Sequence, residues 1–158
     1  MQPKITLRDR QTQFINQCFC INQTKTFLAA TISNQNEEHV ILVSLLDNQL
    51  KKSFKSPTQD LQSILFINHD NALLLLDGIV NHFLFFMSLN GSVLRRVDLT
   101  KSSIDRVVLS ADSTLSVITD LDNSLEMFNN KNFLSLARLT LPQIIEHTDA
   151  HLFFQEDV

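Results

Sequence analysis

A chain of 158 residues and 18.1 kDa holds one domain, or a stretch of a repeating one, and is too short for two ordinary domains. Hydrophobic residues at 44% against charged residues at 19% supply a packed core and exclude a disordered chain, while a net charge of −4 offers no positive excess for nucleic acid or an anionic membrane. Two glycines, Gly78 and Gly91, cannot build a glycine-rich phosphate loop, and three prolines exclude a proline-rich design.

The first ten residues, Met1 to Arg10, lack the apolar run of a secretory leader. Within them Lys4-Ile5-Thr6-Leu7-Arg8 alternates as an outer strand does, so residues 4–8 are expected as one. Cys18 and Cys20 follow, one residue apart. An extended strand does not bring such neighbours into disulfide geometry, which points to a reducing, cytoplasmic setting.

Residues 15–57 then read as a unit of four strands. An apolar strand ends at Ile21, a polar turn Asn22 to Thr26 leads to a second strand from Phe27, and a longer polar turn is expected from Ser33 to His39. Val40 to Leu46 gives a third strand, Asp47-Asn48 a tight turn, and Gln49 to Phe54 a fourth strand. Residues 60–101 repeat the pattern with Leu65 to Ile67, Ala72 onward, Phe83 to Leu89 and Val93 to Leu99, the last two joined by Asn90-Gly91, a strong hairpin signal.

The run from Ala72 to Met87 is the most apolar in the chain. Asp77, Asn81 and His82 interrupt it well short of the roughly 20 apolar residues that cross a bilayer, so two buried strands are expected there and no membrane span. Residues 103–141 form a third unit, with strands at Val107 to Leu109, from Leu115, at Leu125 to Phe128 and at Phe133 to Leu139. Last, residues 151–157 mimic Ser63 to His69, the opening strand of a unit.

Anchored on Ile21, Ile67 and Leu109, the units recur at offsets of 46 and 42 residues. Four antiparallel strands at that period form the blade pattern of a propeller. From about Ile15 to Leu141 the chain resembles the WD40-like β-propeller family, and Ser110-Ala111-Asp112-Ser113 is similar to that family's usual first turn. The family's Gly-His dipeptide is missing, and Leu45-Leu46, Ser88-Leu89 and Phe128-Asn129 stand where Trp-Asp would fall. The resemblance implies an all-β fold, a partial or open β-propeller of four-stranded antiparallel blades, in one domain over residues 1–158.

Three blades with an extra strand at either end fall short of the about four to eight blades of a closed propeller. A protein partner, or a second copy of the chain, is therefore expected to complete the ring, making this a non-enzymatic scaffold or adaptor. Ile5, Leu7, Leu152, Phe153 and Phe154 are the expected contacts, with Lys51, Lys52, Arg95 and Arg96 as a charged rim that also protects outer strands from edge pairing. Cys18 and Cys20 with His147 and His151 do not have zinc-knuckle spacing, so no metal or other cofactor is expected. His69-Asp70, Asp120, Asp122 and Glu146-His147 carry acid–base groups without a nucleophile motif, and no enzyme is expected. Two competing readings are a ligand-binding or enzymatic propeller using a central channel near His69 and Asp70, and a compact α+β domain whose tail, Ile144 to Phe154, is an amphipathic helix.

Overall fold

The computed structural model describes residues 18–34, 37–59, 61–77, 82–99, 104–120 and 124–140. These contain twelve strands and no helix. The first four are β1 (Phe19–Ile21), β2 (Phe27–Asn34), β3 (Glu37–Ser44) and β4 (Gln49–Lys55); the next are β5 (Ser63–Ile67), β6 (Ala72–Asp77), β7 (Phe83–Ser88) and β8 (Val93–Asp98). The last are β9 (Ile104–Leu109), β10 (Leu115–Asp120), β11 (Ser124–Asn129) and β12 (Leu134–Thr140). Each set of four pairs in chain order as an antiparallel sheet, giving three blades.

The middle blade shows why the sequence carries a continuous apolar run. Successive side chains of a strand point to opposite faces, and both faces of this blade are covered. Leu73, Leu75, Phe85 and Met87 pack toward the first blade with Ala29, Val40 and Leu42. Ala72, Leu74, Leu76, Leu84 and Phe86 pack the other way, with Ile118 and Phe128 of the third blade. All six residues of β6 are buried, Asp77 included; its carboxylate accepts a 2.6 Å hydrogen bond from the Thr58 hydroxyl.

The expected long turn between the second and third strands is largely taken up by strand. Ser33 and Asn34 extend β2, and Glu37, Glu38 and His39 begin β3, in register from Asn34 opposite Glu37 to Phe27 opposite Ser44. Polar side chains are accommodated there by strand pairing: Lys55 of β4 reaches Glu37 at 2.7 Å, and His39 lies 3.5 Å from the same carboxylate. The third-blade turn also moves, spanning residues 130–133, so that β12 begins at Leu134.

A β-bulge recurs in the fourth strand of every blade. The register shifts between Leu42 and Val43, between Phe86 and Met87, and between Met127 and Phe128, which leaves Lys51, Leu94 and Leu136 as the extra residues. Beside the second of these, Gly91 takes φ +87 in the hairpin turn, and a Cβ there would lie 2.6 Å from Cγ of Phe54. Only glycine lets the turn of one blade close on the outer strand of the blade before it.

Candidate interaction site

Neighbouring blades are fastened through the turns that follow their first strands. Asn22, at the end of β1, is buried and donates from Nδ2 to Asp70 Oδ2 of the middle blade at 3.0 Å. The amides of Gln23 and Thr24 donate to the same carboxylate at 3.0 and 3.3 Å. One turn onward the pattern repeats in altered chemistry: the amides of Asn68 and His69 donate to the carbonyl and hydroxyl of Ser113, and Asn68 Nδ2 donates to the Asn130 carbonyl at 2.7 Å. Gln23 Nε2 spans further, to the Ala111 carbonyl of the third blade at 2.6 Å.

The middle turn is thus a keystone. Asn68, His69 and Asp70 hold φ of 57, 51 and 67, three consecutive left-handed residues that the blades on both sides fix by hydrogen bonds. Asparagine and aspartate tolerate that region better than most side chains, which accounts for the residue types. The Asp70 carboxylate holds the seam between the first and middle blades. In the equivalent turn of the third blade, Asp112 is held down at about 2, first by the Ser110 hydroxyl and then by the Thr114 amide and hydroxyl.

The expected charged rim is divided by the register. The bulge turns Lys51 and Lys52 into one groove between the first and middle blades. Arg95 and Arg96 sit one residue later relative to their own bulge, opposite Phe86 and Phe85, and alternate to opposite faces. Arg96 stacks on Phe83, its guanidinium carbon 4.2 Å from the ring centroid. Thus the two basic pairs, alike in sequence, are placed differently. Ile5, Leu7, Leu152, Phe153 and Phe154, together with His147 and His151, lie outside the described residues.

That groove has a volume of about 550 Å³. Phe27, Leu42, Phe66 and Leu89 form its apolar walls, with Lys51 and Lys52 at one side and His69 and Asp70 at another. Lys52 Nζ donates to Asn90 Oδ1 at 2.5 Å, bridging the two blades, whereas Lys51 pairs with Asp47. Sequence reasoning did not find this site, because its walls come from four different strands and turns whose proximity depends on how two blades stack.

Both cysteines are free thiols in the core between the first and middle blades. Burial pushes the Cys18 thiol up, and burial pushes Cys20 up to about 12. Among the described residues no cluster of histidine, cysteine, aspartate and glutamate could hold a metal ion. Since the folded value lies above the unfolded one, the stability contributed by these neutral thiols is complete below about pH 8.5. It is lost as pH climbs toward about 12, the folded value of Cys20. The expected outcome is a melting temperature that drops above pH 9 in wild type and drops less in Cys20→Ser. At pH 8 an aromatic disulfide reagent should label both thiols slowly until denaturant is added.

No family model matches the sequence, and no curated protein matches it. Solved structures do match. The Dos1 propeller superposes with a TM-score of 0.70 at 10% identity, over 81% of this chain and 34% of its own. The β-propeller domain of Myceliophteria thermophila Cps50 (Swd1) superposes with a TM-score of 0.62 at 10% identity, over 82% of this chain and 44% of its own. The three sheets are propeller blades, and the fold is an all-β partial propeller. The chain spans less than half the length of either of these propeller chains. Among the described residues no helix is long and apolar enough to cross a membrane.

Proposed function

We propose that this chain is a non-enzymatic scaffold or adaptor subunit of a cytoplasmic assembly, docking to a protein partner through the two end blades of its arc. The observation that carries the reading is apolar surface on the sides of those blades turned away from the middle one. In the first blade the register sets Phe19 and Ile21 on that side with Leu28, beside Ala30 and Val43, which are themselves buried. Phe19 is 63% exposed and Ile21 52%. In the third blade Leu125 and Leu139 pair on the far side, and Leu139 is 56% exposed. Blade faces of this kind are buried wherever another blade follows, as both faces of the middle blade are. Phe19, Ile21 and Leu139 are large apolar side chains left in water on those sides, and such exposure marks a surface for interaction.

The terminal segments that contain Ile5 and Leu7, and Leu152, Phe153 and Phe154, belong to the same proposal as contact residues, with Lys51, Lys52, Arg95 and Arg96 as a charged rim. The partner is a different protein or a second copy completing the ring. Two reduced thiols fit a cytoplasmic setting. Size-exclusion chromatography with light scattering on the full chain tests the reading. A dimer or a stable heterocomplex that Ile21→Asp or Leu139→Asp dissociates is the expected result. A wild-type monomer that binds no apolar dye overturns it.

A further inference from the structure

We infer that the groove between the first and middle blades is a separate docking slot for an extended acidic peptide, one that presents an apolar side chain next to a carboxylate. The slot shares Lys51 and Lys52 with the charged rim of the proposed docking surface but none of its apolar contacts, since its walls lie between two blades that are already packed together. Its volume, about 550 Å³, suits one or two large side chains and lies in the range of ligand clefts. Phe27 remains partly exposed on the wall although Leu42 beside it is buried, so an apolar surface faces the slot without a covering side chain.

Charge supplies the polarity of the occupant. Lys51 is neutralised by Asp47, but among the described residues the ammonium of Lys52 meets the neutral amide oxygen of Asn90 and no carboxylate. Asp70, on another side of the slot, is an anion whose two oxygens already accept from Asn22, Gln23 and Thr24. A carboxylate entering the slot is therefore attracted to Lys52 and repelled from Asp70, which orients the peptide with its acidic group toward β4 and its apolar group on Phe27, Leu42 and Leu89. The bulge at Lys51 makes this possible, since it brings two consecutive basic residues to one side.

The test uses the full chain and a fluorescein-labelled peptide with a central Leu-Phe-Asp-Asp, followed by anisotropy, with a control in which both aspartates are lysine. Wild type should bind the acidic peptide saturably, and more weakly as salt rises. Lys52→Glu should weaken it by about tenfold or more and, with an unchanged melting temperature, should gain affinity for the lysine control. Ile21→Asp and Leu139→Asp should leave binding intact, which separates this site from the end-blade surfaces. The inference is overturned by the absence of saturable binding to wild type, by equal binding to Lys52→Glu, or by an oligouridylate that occupies the slot in preference to the peptide.

Discussion

Replacing Phe86 by alanine should lower stability by about 3–5 kcal/mol, the range for removing a fully buried phenylalanine from a packed core. Phe86 has no exposed surface and stands where the middle and third blades meet. Its ring lies 5.0 Å from Phe133 and 6.2 Å from Phe128, both in tilted contact. Neither neighbour can collapse into the gap, because Phe133 is fixed by a left-handed turn at φ 60 and Phe128 is paired in the centre of its sheet. Thermal melts followed by circular dichroism should show a fall of roughly 6–20 °C for a chain of this size. Leu46→Ala is the control: that residue is 80% exposed in a turn, and its loss should change stability by no more than about 0.5 kcal/mol.

Asp70→Ala should cost about 2–3 kcal/mol by a different route, through loss of charge-assisted hydrogen bonds across a blade seam. The variant leaves the buried Asn22 amide with only Thr24 and Thr26 hydroxyls as acceptors, and strips the partner from the amides of Gln23 and Thr24. It also places alanine at φ 67, which asparagine tolerates better. Asp70→Asn should therefore be milder. The diagnostic readout is local: amide exchange at Gln23 and Thr24 should accelerate while the core of the middle blade stays protected. A double-mutant cycle with Asn22→Ala should give a coupling of about 0.5–3 kcal/mol; additivity would show that the clasp is not a unit.

Much of the architecture was legible in the residues themselves. Leu73 to Leu76 and Leu84 to Met87 announce strands buried on both sides, Asn90-Gly91 announces a hairpin, and the spacing of Ile21, Ile67 and Leu109 announces a repeat. These signals are local or periodic, so a single chain displays them. Where reading failed, the deciding interaction was remote in sequence. Ser33 to His39 looks like a loop by composition, yet Ser33 and Asn34 pair with Glu38 and Glu37, and His39 pairs with Lys55 of β4, many residues later, so that these residues become strand. Lys51-Lys52 and Arg95-Arg96 look equivalent as dipeptides, yet a one-residue difference in position relative to the bulge converges one pair and splits the other.

The amino-acid sequence by itself determined the all-β class, the three four-stranded units and which strands are innermost to the core, because side-chain alternation and turn chemistry act over a few residues. Only the tertiary structure decided that Asp70 clasps two blades, that Lys52 borders an apolar slot, and which apolar side chains of the end blades stay exposed. Those properties depend on blade stacking, which sets hydrogen bonds and contacts between residues some 46 positions apart, and no local pattern encodes them.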